Sequence, residues 1–226
     1  MPRHPEKLIV VAGHAAFKGP IETVPDNPAE DKHWVLQAFQ HGEPSYYIEH
    51  IRKGAALLAE DEASLLMFSG GRTRREAGHW SEAATYQAVA EHYRYWTDKT
   101  TREQLMARTA LELYARDSFQ NLQFSLYEFY RLTGKYPNHI TVVGWQFKAA
   151  RFDHHRATLG IPTERVTYAG CNKPEDLAGA MKGEEKVLEL FQADPTGSHS
   201  PLADKRKERN PFDEQHPYSA SPPITQ

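Results

Sequence analysis

Ser64-Leu65-Leu66-Met67-Phe68-Ser69-Gly70-Gly71-Arg72-Thr73-Arg74 reads as a buried strand that ends in two glycines and a basic turn. The run Ser64–Phe68 is short, apolar and bounded by turn residues, the pattern of a strand covered on both faces. Two glycines let the backbone turn sharply and bring its N–H groups close to a ligand. Arg72 and Arg74 carry planar forks suited to phosphate or carboxylate oxygens, and Thr73 stands between them. A helical pattern resumes at Ser81-Glu82-Ala83-Ala84. The turn therefore lies between a strand and a helix, where open α/β sheets place ligands. For Gly70-Gly71 alone an ordinary loop with solvated arginines is the plain alternative; the whole string from Ser69 to Arg74 points to an anion site.

Three further runs have the same character: Leu8–Ala12, Ile140–Gly144 and Arg165–Ala169. Helical patterns separate them. Tyr47, Ile51, Ala55 and Leu58 recur at helix spacing behind Ser45, a candidate cap. Ala83, Tyr86, Ala90 and Tyr93 form a second stripe. Phe119, Leu122, Leu126 and Phe129 form a third, closed by Gly134. Ala149–Leu159 before Gly160 is a fourth, and Pro174–Phe191 a fifth. Strands alternating with helices of this length predict βαβ units and a three-layer α/β/α domain with a mostly parallel central sheet.

Two segments break the rhythm. Residues 15–44 carry Pro20, Pro25, Pro28 and Pro44, with a short helix expected around Lys32–Phe39. Trp34 and Phe39 argue for a folded flap near the pocket, since long connections in compact domains are usually functional or disordered. Residues 195–226 are polar and proline-containing, with the basic cluster Lys205-Arg206-Lys207 and Arg209. That cluster reads as a solvated tail or an arm on the domain surface, or as a nucleic-acid patch. The predicted organisation is one domain over 1–194 with an inserted flap, followed by this tail.

Bulk properties narrow the classes. The chain has 226 residues, 39% of them hydrophobic and 25% charged, with a net charge of −3. That is enough for one large core, and it offers no global field toward nucleic acid or membrane. Apolar runs reach only about five residues, far short of the ~20 of a spanning helix. Nothing near Met1 has the length of a signal peptide. The single cysteine, Cys171, excludes an internal disulfide and cysteine-rich zinc sites. A reducing, cytoplasmic setting is expected.

The first strand ends in Gly13-His14, which puts an imidazole at the carboxyl edge of the sheet as a candidate acid or base. A capping or hydrogen-bonded histidine is the alternative. In Glu112-Leu-Tyr-Ala-Arg-Asp117-Ser118-Phe-Gln-Asn121, Asp117 or Ser118 can cap the following helix. Ser118, Asn121 and Ser125 form a polar stripe that suits an anion or hydroxyl, or simply faces solvent. Lys148 and Arg151 fall in the first turn after the strand at 140–144. Cations there oppose the helix dipole, and an anionic partner would relieve them. Metal is disfavoured, because His154-His155 point to different faces and no metal-ligand spacing accompanies them. Phosphate-loop, dinucleotide and G-x-S-x-G signatures are absent.

Taken in order, these pieces resemble the SanA/YdcF-like family, a domain of unknown function, over about Lys7 to Pro162. The carriers are the strand–Gly70-Gly71 turn, Ser81-Glu82 opening a helix, Glu112, Ser118 and Asn121, and Arg151 after a late strand. The strings Gly-Gly-Arg-Thr-Arg, Asp-Ser-Phe-Gln-Asn and Phe-Lys-Ala-Ala-Arg-Phe look more like the soluble eukaryotic and fungal branch. Many bacterial members have a histidine where this chain has Lys148. The resemblance implies a Rossmann-like sheet with polar residues gathered at one edge.

These observations lead to an enzyme for hydrolysis or group transfer on a small anionic, phosphorylated or nucleotide-like ligand. Arg72, Thr73, Arg74, Lys148 and Arg151 would hold the anion, Glu82 or Glu112 would act as base, and His14 as acid. A glutamate beside arginines is expected to have a lowered pKa. A phosphorylated ligand can bring a divalent cation. The alternatives are a non-catalytic module for a nucleotide or S-adenosylmethionine, and an interaction protein using its basic tail.

Overall fold

The computed structural model describes residues 5–19, 24–95, 102–172 and 177–224; the flap's Pro20 and the expected helix start at Pro174 lie outside them. Five parallel strands form one sheet: β1 (Lys7–Ala12), β2 (Ser64–Ser69), β3 (Thr109–Glu112), β4 (His139–Trp145) and β5 (Val166–Cys171). Their order is β3-β2-β1-β4-β5. The sequence pattern places four of these within one or two residues and misses β3, a four-residue strand at the sheet's edge.

Side-chain alternation divides the core between two faces. Ile9, Val11, Leu66 and Phe68 meet α1 (Pro44–Glu60), α2 (Glu82–His92) and α3 (Arg102–Met106) on one side. Leu8, Val10, Met67 and Val142 meet α4 (Ser118–Thr133) and α5 (Ala149–Thr158) on the other. The molecule is thus an α/β, Rossmann-like three-layer sandwich. Helices change sides between β1 and β4, and the crevice beyond the carboxyl ends of those two strands is the topological switch point at which such sheets bind ligands.

Several local details differ from the pattern. Helix α1 starts at Pro44 with Glu43 as N-cap residue and no side-chain cap, so Ser45 does not cap it. Proline suits that first position because the helix needs no N–H there. The helix expected around Lys32–Phe39 is two 3-10 turns, Asp31–His33 and Ala38–Gln40. Gly134 does close α4, in the left-handed conformation.

The described part of the flap is folded into the domain. Trp34 is fully buried, pairs with Phe17 through an isolated antiparallel bridge, and donates its indole N–H to the Pro28 carbonyl at 2.6 Å. Phe39, by contrast, is 72% exposed. After α6 (Leu177–Ala193), the C-terminal segment forms α7 (Leu202–Glu208) and a 3-10 turn at Pro217–Ala220. Leu202 packs with Phe119 and Phe191, and Tyr218 with Ala115 and Phe124. Residues 202–220 therefore lie as an arm on the domain surface, not as a solvated tail. No helix among the described residues is long and apolar enough to cross a membrane.

Candidate functional site

The Gly70-Gly71 turn builds the edge but does not offer its N–H groups to a ligand. Gly70 N donates to the Glu112 carbonyl at 3.0 Å and Gly71 N to that of Ala115 at 2.8 Å. Their own carbonyls receive Ala83 N and Glu82 N, at 3.0 and 3.1 Å. Ser81 accepts from Ala84 N. The start of α2 is therefore satisfied from within, which corrects the expectation of a backbone cradle.

What the glycines provide is room. A Cβ on Gly13 would meet Glu82 Cβ at 2.6 Å and Oε2 at 2.8 Å, and one on Gly70 would meet the same two atoms at 2.8 and 2.6 Å. Gly70 also has φ +153°, at the margin of the region that favours glycine. Glu82 thus lies directly over the ends of β1 and β2. Its Oε1 accepts the Thr73 hydroxyl at 2.7 Å. Burial raises its pKa despite that hydrogen bond and the nearby Arg209, Arg74 and Lys148. Desolvation outweighs the cations, the reverse of the lowering expected from arginine neighbours.

His14 follows β1 and packs at the crevice among Tyr47, His50 and Trp145, with ring centroids 5.3, 5.4 and 6.4 Å away. Its Nε2 is buried without a hydrogen bond among the described residues. Burial, then Lys148 and His50, hold its pKa well below the usual value, so the ring is neutral. The flap fixes the backbone here through Gln40, which donates to the His14 carbonyl at 2.9 Å.

Lys148 precedes α5 at the end of β4, opposite His14 across the switch point. It makes no ion pair among the described residues, and burial followed by Arg151 lowers its pKa to about 7, against the pull of Glu184 and Glu43. Arg151 binds Glu184 at 2.8 Å, with both side chains about one-tenth exposed. Around the same point, Glu43 is raised by burial and holds the Tyr47 hydroxyl at 2.6 Å.

Other expected residues lie elsewhere. Ser69, Glu112 and Asn121 form a closed interior network: Ser69 Oγ donates to Glu112 Oε2, and Asn121 Nδ2 donates to Ser69 O at 3.0 Å. Asn121 and Ser125 are buried, not solvent-facing. Ser118 shares a 2.8 Å hydrogen bond with His155 Nε2; burial lowers that imidazole to about 2, too weak a base to activate a hydroxyl. Asp117 caps α4 through Gln120 N at 2.9 Å and pairs with Arg206 of the arm.

Arg72 and Arg74 also face the arm. Arg72 Nε donates to Glu214 at 2.9 Å, and Arg74 stands 3.7 Å from Glu208. The expected anion holders are therefore paired with carboxylates of the chain's own C-terminus. The crevice brings together Gly13, His14, Thr73, Glu82, Lys148 and Arg151, and adds four residues not read from sequence: Glu43, His50, Glu184 and Arg209. Only Arg209 had a visible signal, its place beside the basic cluster. Among the described residues, no group of three or more His, Cys, Asp or Glu could hold a metal ion.

The chain is 26% identical to the uncharacterized protein YOR238W of Saccharomyces cerevisiae over 264 aligned positions, spanning 94% of this chain and 86% of that relative. No family model and no solved structure matches it.

Proposed function

We propose that this chain is an enzyme that hydrolyses or transfers a group on a small anionic, phosphorylated or nucleotide-like ligand bound between the ends of β1 and β4. We also read it as a SanA/YdcF-like protein of the cytoplasmic, soluble branch. The observation that supports the enzymatic reading is His14, whose buried Nε2 has no hydrogen bond among the described residues, together with the half-buried Lys148, which has no ion pair among them. A buried polar atom left without a partner at a switch point suits a site that a ligand completes.

In this reading Lys148 neutralises ligand charge and His14 Nε2 makes the hydrogen bond it otherwise lacks. Glu82, its pKa raised by burial, exchanges a proton with water or an acceptor hydroxyl as general base. Arg151 is held by Glu184 and keeps Lys148 depressed, which readies the ammonium to gain charge stabilisation when an anion arrives.

A panel of nucleotides and sugar phosphates tests this, with thermal shift first and product analysis second, on wild type, Lys148→Met and Glu82→Gln. A ligand that stabilises the wild type but not Lys148→Met, and is consumed by the wild type but not by Glu82→Gln, supports the proposal. Binding without turnover moves the assignment to a ligand-binding module. The absence of any shift rejects the site.

A further inference from the structure

Resting on that reading, we propose that the C-terminal arm completes the site: Arg209 grips the ligand from above, and the group gripped is a dianionic phosphoryl group. The arm is pinned on both sides of this residue. Upstream, Leu202 is buried with Phe119 and Phe191, and Arg206 pairs with Asp117 while donating to the Gly197 carbonyl at 2.9 Å. Downstream, Glu214 accepts from Arg72 Nε at 2.9 Å, and the Arg72 guanidinium lies over the Phe212 ring at 4.5 Å. Between these anchors Arg209 donates to the Arg116 carbonyl at 2.9 Å. That bond fixes one terminal nitrogen, and the remaining donors of the fork have no hydrogen bond among the described residues.

The charge of Arg209 acts on His14, Glu82, Lys148 and Arg151 together. Contacts of the arm put it along the same edge: Glu208, the preceding residue, stands 3.7 Å from Arg74, which follows the Thr73 whose hydroxyl bonds Glu82. The cations around this point divide into two sets. Arg72, Arg74, Arg151 and Arg206 have carboxylate partners in Glu214, Glu208, Glu184 and Asp117. Lys148 and Arg209 have no ion pair among the described residues, and neither have Lys205 and Arg116 beside the arm, Arg116 donating to the Glu214 carbonyl. The unpaired carboxylates that act on Lys148 are Glu43 and Glu82, and burial raises the pKa of both.

Several cations without a carboxylate partner along one edge match a ligand of two negative charges better than a ligand of one. A carboxylate would leave one of them unbalanced in a desolvated place, which is costly. A phosphate monoester at neutral pH carries close to two charges and three acceptor oxygens. Those oxygens can meet the Arg209 fork, the Lys148 ammonium and His14 Nε2 at once. This also gives a reason for the acidic flanks of the arm. Glu208 and Glu214 bind Arg74 and Arg72, so the arm docks by ion pairs of its own and Arg209 stays free for the ligand.

The test is calorimetric titration of the full chain with inorganic phosphate at pH 7.5, with acetate as the monoanion control. The proteins are wild type, Arg209→Gln, Lys148→Met and, as a control on the exposed side of α7, Lys207→Ala. Glutamine at 209 keeps a donor for the Arg116 carbonyl, and hydrogen exchange over residues 202–208 reports whether the arm remains docked.

The expected result is phosphate binding without acetate binding in wild type and Lys207→Ala. Affinity in Arg209→Gln should fall about ten-fold or more with the arm docked, the loss of one charge-assisted hydrogen bond. Wild-type affinity in Arg209→Gln alongside lost affinity in Lys148→Met overturns the role of the arm and leaves the site standing. Loss of affinity only together with release of the arm also overturns it, because Arg209 would then be a structural tether. Acetate binding equal to phosphate overturns the dianion assignment. No phosphate binding by wild type overturns the functional reading and this inference together.

Discussion

Ser69 donates its hydroxyl to Glu112 Oε2 at 2.6 Å, joining the last residues of two neighbouring parallel strands. Glu112 Oε1 accepts from Tyr114 N at 2.7 Å and Ala115 N at 3.1 Å, so the fully buried carboxyl organises the turn that leaves β3. Glu112→Ala orphans those donors in the core and should cost about 2–4 kcal/mol in urea denaturation. Glu112→Gln keeps Oε1 and should lose about 1 kcal/mol or less, with ligand binding retained. A folded Gln variant that no longer binds ligand would restore Glu112 as a site residue.

The same carboxyl carries a pH signature. Burial raises it from 4.5 to about 7, against its hydrogen bonds and aided slightly by Glu128. Between those values the folded chain holds a proton that the unfolded chain has released. Its contribution to stability is therefore complete below pH 4.5 and lost as pH rises through 7. The stability of wild type relative to Glu112→Gln should fall from pH 5 to about pH 7 and level off above it. A constant difference would show that the group does not titrate in this window.

Lys148 has the opposite sign. Its pKa drops from 10.5 to about 7 through burial and then Arg151, with Glu184 and Glu43 opposing and Arg209 assisting. Between pH 7 and 10.5 the folded chain has released a proton that the unfolded chain keeps. The cost of the buried ammonium is therefore complete below pH 7 and disappears as pH rises toward 10.5. Lys148→Met should be more stable than wild type at pH 6.5, with the gap closing by pH 9.5. Anion affinity of the wild type should fall through the same range as the charge is lost, while the Met variant shows no such fall. Parallel stability curves for the two proteins would remove Lys148 from the centre of the site.

Gly13 and Gly70 make the floor on which Glu82 rests. Gly13→Ala places a methyl 2.6 Å from Glu82 Cβ and 3.0 Å from the Ser69 carbonyl, contacts that the backbone of α2 must yield to. Overpacking of this kind costs about 1–3 kcal/mol. Turnover should fall further than ligand affinity, because the displaced group is Glu82 and the cations stay in place. Equal losses in kcat and affinity would mean that the whole edge has collapsed.

Strands were legible where burial on both faces demands continuous apolar side chains, as in Leu8–Ala12 and Ser64–Phe68. Thr109–Glu112 lies at the edge, half-buried over three of its four residues, and so leaves no such run. The polar residues of α4 misled in the other direction: Asn121 and Ser125 look solvent-facing by spacing, yet they are buried because Asn121 bonds back to Ser69. Most of all, the pairing of Arg72 with Glu214 spans 142 positions. No local pattern reveals that a basic turn is answered by acids of the chain's own terminus. The positions of His14 and Lys148 at one edge were legible because they follow β1 and β4 within three residues, and the sheet order makes those strands neighbours.

Trp34 ties the flap to this edge. It is fully buried, edge-on to Phe17 at 4.6 Å and to Tyr47 at 5.5 Å. The same flap supplies Gln40 to the His14 carbonyl and Glu43 to the Tyr47 hydroxyl. Trp34→Ala removes the largest anchor and should cost about 3–5 kcal/mol in denaturant unfolding. Trp34→Phe keeps most of the packing but orphans the Pro28 carbonyl, for about 1–3 kcal/mol. Both variants should weaken anion binding at a pH where they remain folded, since His14 is positioned through Gln40. If Trp34→Ala loses less than about 1 kcal/mol and binds phosphate as wild type does, the flap is a covering loop, and the placement of His14 belongs to the sheet alone.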